Sequence, residues 1–193
     1  MDSPCRSPIV IVSGLPRSGT SLMMQMLERG GLSLLTDGLR AADEDNPRGY
    51  FELEAVKKTR EDASWLNAAS GRSVKVIYKL LYDLPDDHKY RVIFMRRGLD
   101  EVLSSQAAML KRRGTDGAAL PPDRMMRVFE KQLGDVLGYM SETACFEYLE
   151  VDYKQLIDDA LSQAKMVNTF LGGGLDPQKM TEVVDADLYR QRA

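Results

Sequence analysis

The stretch GLPRSGTS, residues 14–21, restricts this chain more than any other. Gly14 and Gly19 bracket four residues, and Thr20 and Ser21 follow, which is the frame of a phosphate-binding loop, G-x-x-x-x-G-K-[ST]. The lysine position holds Thr20, and a cation, Arg17, sits inside the loop instead. The two glycines let the backbone turn tightly and approach an anion. The N–H groups of residues 17–21 can then converge on one phosphate, backed by the dipole of the following helix. Such a loop has meaning only between a buried strand and a helix. PIVIVS (8–13) is apolar and β-branched before it, and Leu22, Met23, Met26 and Leu27 share a helical face after it, stopped by Gly30-Gly31.

Three more runs read as buried strands: SVKVIY (73–78), YRVIFM (90–95) and FEYLEV (146–151). Helical patterns lie between and after them. One opens at Asp100 and stops at Gly114, one starts at Pro121-Pro122-Asp123, and the last runs from Asp152 to Gly172–Gly174. A further helix is expected over 52–67. Strands alternating with helices predict an α/β fold of three layers: a P-loop-type, mostly parallel sheet of four to five strands flanked by helices. A length of 193 residues suits a single domain, 1–193. In such sheets ligands bind beyond the carboxyl ends of the strands. Those ends are Gly14, Lys79, Arg96-Arg97 and Asp152-Tyr153, so loop and cations gather on one edge.

Composition removes several classes. A net charge of -3 gives no bulk grip on nucleic acid. Cys5 and Cys145 make neither a metal spacing nor a disulfide framework, and fit a reducing compartment. The apolar run Ile9–Val12 is too short for a signal peptide or a membrane span, so a cytoplasmic protein is expected. ATP or GTP hydrolysis needs the loop lysine and a strand-end aspartate on Mg²⁺. Thr20 replaces the first. Asp152, where FEYLEV turns into a helix, reads as that helix's N-cap. The site therefore calls for an anionic ligand handled by fixed cations, with no metal.

GLPRSGTS resembles the 5′-phosphosulfate loop of sulfotransferases that use 3′-phosphoadenosine 5′-phosphosulfate (PAPS), which carry a basic residue at the position of Arg17. A second element is similar to that family's strand, arginine, then serine eight residues on. In FMRRGLDEVLSSQ this gives Arg97 and Ser105, with Arg96 and Ser104 at the same spacing. Arg97–Ser105 is preferred because Val102 then falls where the family has an apolar residue. A softer third element is YLEVDYKQLIDD with NTFLGG. The resemblance spans residues 8 to about 174. It implies metal-free, in-line sulfuryl transfer from PAPS to a hydroxyl or amine of a small-molecule acceptor. Gly14, Pro16, Arg17, Ser18, Gly19, Thr20, Ser21, Arg97 and Ser105 would bind the nucleotide. Arg17 would also act in transfer, with Lys79 at the tip of the second strand on the sulfuryl group and Lys75 as its rival.

Members of that family use a histidine or carboxylate to deprotonate the acceptor. The single histidine, His88, precedes the third strand and belongs on the amino edge, away from the loop. Glu52 is the favoured base, because Gly49, Tyr50 and Phe51 would embed it and raise its pKa. Asp43, Glu44 and Asp45 of the same loop are alternatives. The methionine-rich, basic stretch from Gln106 to Met140 is a candidate acceptor wall, and Arg190 and Arg192 are late phosphate contacts. Two other readings stand beside this one: a P-loop kinase or NTPase with an altered loop, and a non-catalytic nucleotide binder of the same fold.

Overall fold

The computed structural model describes residues 7–40, 43, 49–112, 114 and 121–185. Among these, four strands form one parallel sheet: β1 (Ile9–Gly14), β2 (Ser73–Lys75), β3 (Tyr90–Arg96) and β4 (Phe146–Asp152), in the order β2-β1-β3-β4. The helices are α1 (Thr20–Arg29), α2 (Leu99–Arg112), α3 (Pro122–Glu142), α4 (Tyr153–Asp158), α5 (Ala160–Phe170) and α6 (Pro177–Thr181). The predicted three-layer α/β architecture is present.

β1 is buried along its whole length because both faces of the sheet are covered. Its side chains alternate between two cores. Ile9 and Ile11 pack with Tyr90, Val92 and Phe94 of β3 under α2 and α3, where Val102, Leu133, Val136 and Met140 are buried. Val10 and Val12 pack with Ile93 and Met95 under α1, α5 and α6, where Met23, Met26, Leu27, Val167 and Met180 are buried. Met140, one methionine of the expected acceptor wall, is therefore core.

The sheet order places the site. From β1 the chain crosses to β2 on one side, then returns past β1 to pair β3 on the other. β1 and β3 thus meet at the topological switch point, and the crevice beyond their carboxyl ends is the ligand position for this class of sheet. The loop leaving β1 and Arg97 leaving β3 both open onto it.

Three boundaries differ from the sequence expectation, each for a local reason. β2 ends at Lys75, not near residue 78. The Val76 N–H still bonds to the Val12 carbonyl at 3.0 Å, but β1 runs on to Gly14 against β3 alone, while the edge chain departs and turns into a 3-10 segment, Tyr78–Asp83. The helix over 52–67 is two short 3-10 turns, Glu54–Lys58 and Ser64–Ala68. A side chain competes for the backbone there: Asp62 accepts the Ser64 N–H that a continuous helix would use, while Asp37 accepts the Glu54 N–H at the start of the first turn. The helix from Asp152 divides at Asp159, whose carboxylate caps α5 by accepting the Ser162 N–H at 3.1 Å. Asp152 caps α4 as expected, accepting the Gln155 N–H at 2.9 Å.

Candidate functional site

The loop is held in a conformation that few residues can adopt. Gly14 has φ of 144° and Gly19 of 100°. A Cβ on Gly14 would lie 2.7 Å from the Met95 carbonyl oxygen, and one on Gly19 would lie 2.3 Å from the Tyr153 ring. Both positions need glycine for space as well as for φ. Between them Arg17, which has a side chain, is held at φ 74°. Such a residue persists only where its surroundings fix it.

Those surroundings are β3, α2 and the start of α4. Nη1 of Arg97 donates to the Arg17 carbonyl at 3.1 Å. Nε of Arg17 donates to Ser105 Oγ at 3.0 Å. Arg97 is itself oriented by Glu101, whose carboxylate accepts from its Nε at 2.7 Å, and by Tyr153, whose ring centroid lies 4.7 Å from its guanidinium carbon. The structure thus brings Arg17, Arg97 and Ser105 together. Arg96 turns away to an exposed pair with Glu150 at 2.9 Å, and Ser104 is exposed while Ser105 is buried.

The other loop residues divide by role. Ser18 turns inward and donates to the Leu15 carbonyl at 2.7 Å, which closes the loop on itself. Pro16 lies exposed on the rim. Gly19 is the N-cap of α1 and has no side chain to cap it, so an external acceptor can take the first-turn N–H groups. Thr20 and Ser21 begin that turn.

Lys75 reaches the same turn from β2. Its Nζ donates to Ser21 Oγ at 3.2 Å and to the Tyr50 carbonyl at 3.0 Å. Burial lowers its pKa to about 8, with repulsion from Arg40 and Arg17 adding to the effect and attraction to Glu52 opposing it. Lys79 does not stand at the strand tip. It lies exposed in the 3-10 segment, with Nζ 5.8 Å from the centroid of the Tyr78 ring. The short β2 causes this correction.

The loop facing Lys75 carries the carboxylates. Glu52 is not embedded by its neighbours: its side chain keeps 25% exposure and accepts from Arg40 Nη1 at 2.7 Å. Arg40 lies over the Tyr50 ring, 3.4 Å from its centroid. The Tyr50 hydroxyl donates to both oxygens of Asp43, at 2.7 and 2.8 Å. Glu44, Asp45, Arg190 and Arg192 lie outside the described residues. His88 stands before β3 on the amino edge, bonded through Nδ1 to Asp87 at 2.6 Å. Among the described residues no group of three or more His, Cys, Asp or Glu could hold a metal ion, and no helix is long and apolar enough to cross a membrane.

Sequence reasoning gave no role to Tyr153 or Glu101. Tyr153 is legible only as the residue after a strand end, and Glu101 only as an acid one helical turn beyond Arg97. Tyr153 is buried, which raises its pKa, while the charge of Arg97 opposes the rise.

No protein-family model and no curated protein matches the sequence. Solved structures do match. A sulfotransferase domain of the curacin biosynthetic pathway aligns over 94% of this chain and 79% of its own, with 16% identity and a TM-score of 0.57. The sulfotransferase domain of a Synechococcus olefin synthase aligns over 100% of this chain and 86% of its own, with 17% identity and a TM-score of 0.56. A mouse sulfotransferase complexed with PAP aligns over 97% of this chain and 68% of its own, with 14% identity and a TM-score of 0.64. The chain has the fold of the sulfotransferases; at these identities the likeness is one of fold.

Proposed function

We propose that the chain is a sulfotransferase, moving a sulfuryl group from PAPS to a hydroxyl or amine of a small acceptor. The observation that carries this reading is the convergence of Arg17, Lys75 and Arg97 on a glycine-capped helix start whose usual lysine is Thr20. Fixed cations supply the charge there. Asp152, the carboxylate at the end of β4, is occupied as the cap of α4 instead of standing free for Mg²⁺.

Transfer of this kind depends on positioning and on stabilising charge in the transition state. The N–H groups at the start of α1, with Gly14 and Gly19 giving room, hold the 5′-phosphosulfate. Thr20 and Ser21 add hydroxyls. Arg17 lies across the loop and neutralises charge on the leaving oxygen. Lys75, in place of Lys79, serves the sulfuryl end: its ammonium stands at the α1 first turn and touches the Tyr50 carbonyl of the carboxylate loop. Arg97 and Ser105 take the 3′-phosphate, Arg97 as a planar donor suited to phosphate. The acceptor proton is assigned to Glu52, in the loop that meets Lys75, with Asp43 as the second carboxylate on that loop.

Calorimetry with adenosine 3′,5′-bisphosphate in EDTA, against ADP and Mg·ATP, tests this reading. Tight metal-free binding that requires the 3′-phosphate is expected. A preference for Mg·ATP would place the chain with altered kinase-like P-loop proteins. Binding without turnover on any hydroxyl or amine acceptor would make it a nucleotide binder.

A further inference from the structure

Glu101 has no task in the scheme above. Its side chain and that of Arg97 are each only 9% exposed, and the two form an ion pair at 2.7 Å. A carboxylate there opposes the approach of any phosphate, so attraction does not explain it. Orientation does. A guanidinium offers five donors in one fixed plane. Arg97 commits Nε to Glu101 and Nη1 to the Arg17 carbonyl, and its face lies against Tyr153. Two in-plane bonds and one stacked ring fix both its position and its rotation. An arginine held this way needs no ordering when a ligand arrives.

Glu101 also shares a face of α2 with Ser105, one turn on. That face gives a carboxylate to Arg97 and a hydroxyl to Arg17. The orientation of α2 therefore reaches the left-handed backbone of Arg17 by two routes, through Arg97 to its carbonyl and through Ser105 to its side chain.

We propose that Glu101 is a positioning residue for recognition of the nucleotide's 3′-phosphate: it fixes Arg97, and through Arg97 the loop at Arg17. This rests on the nucleotide site proposed above. The test compares affinities for adenosine 3′,5′-bisphosphate and for ADP, by calorimetry in EDTA, in wild type, Glu101→Gln and Glu101→Asp, with thermal melts alongside. Gln keeps an acceptor at the right distance and loses the charge; Asp keeps the charge and loses the reach. The preference for the 3′-phosphate should fall about tenfold in the Asp variant, the worth of roughly one charge-assisted hydrogen bond, and largely survive in the Gln variant. Overall loosening would move melting temperature without changing that ratio. An unchanged ratio in Glu101→Asp, or tighter bisphosphate binding in Glu101→Gln through relief of repulsion, would overturn the proposal. If wild type itself shows no preference for the 3′-phosphate, the nucleotide assignment falls with it. If wild type shows the preference and Glu101→Asp retains it, only the role of Glu101 falls.

Discussion

Two walls of the crevice are built differently. The wall of β3, α2 and Tyr153 is interlocked: Arg97, Ser105 and Tyr153 are in contact with the loop, Glu101 holds Arg97, and Glu101 and Ser105 are buried. The facing wall, residues 37–40, Asp43 and 49–54, is joined by the Arg40–Glu52 pair, the Tyr50–Asp43 bonds and the Asp37 turn, whose carboxylate oxygens accept the Leu39 and Glu54 N–H groups. Exposed ion pairs contribute little, whereas buried charge on rigid elements holds geometry. In the proposed reaction the first wall handles the constant part, the nucleotide. The second meets the acceptor, where contacts can vary without disturbing the fold.

The largest effect should come from breaking the seat between loop and rigid wall. Gly19→Ala adds a Cβ where the Tyr153 ring stands and imposes it at φ 100°. A loss of about 3 kcal/mol is expected from strain and overpacking, with nucleotide binding lost. Urea unfolding checks the first and calorimetry the second. Arg17→Ala leaves the fold in place and should reduce transfer by about 10²–10³-fold, the usual cost of one transition-state charge partner. Retained turnover would remove Arg17 from the reaction.

Lys75 joins the loop to the facing wall, and its prediction has a sign. Its folded pKa, about 8, lies below the usual lysine value of 10.5. Between those values the unfolded chain binds the proton and the folded chain does not, so stability rises with pH across that window, and the charged form costs stability at pH 7. Lys75→Met should therefore raise the melting temperature of the ligand-free protein at pH 7. It should also weaken nucleotide binding about tenfold. Wild-type affinity should fall from pH 7 to 9 as the proton leaves Lys75, and the variant should lose that dependence. The smallest effects belong to the acceptor wall. Tyr50→Phe should lower stability by about 1 kcal/mol, since it removes part-buried hydrogen bonds whose acceptor, Asp43, is exposed to water. Glu52→Gln should lower turnover and leave nucleotide affinity alone; unchanged turnover would transfer the role to Asp43.

The same division governs what the sequence reveals. The loop, β3 with Arg97, and α2 with Ser105 are legible because strand period, glycine spacing and the eight-residue interval are all local signals. Asp152 is legible as a cap for the same reason. Lys79 misleads because SVKVIY keeps a strand-like apolar pattern to Tyr78, whereas the edge strand stops at Lys75 and β1 continues to Gly14 against β3 alone. The 52–67 stretch misleads because Asp62 takes the Ser64 N–H, which a continuous helix would bond to the carbonyl four residues back. Glu52 looks embedded in sequence, but its environment is set by Arg40, whose place over Tyr50 is a tertiary fact.

The clamp on the loop also has an order in time. Residues 14–21 are made before Arg97 and Ser105, and Tyr153 follows later still. A nascent chain that has not yet paired β4 with β3 carries the glycine loop without Tyr153, the ring against which Arg97 rests. Nucleotide can then stabilise only a chain made past Tyr153, because a ligand adds stability only through its binding to the folded site. It acts on the assembled site and gives no help to the chain before that point.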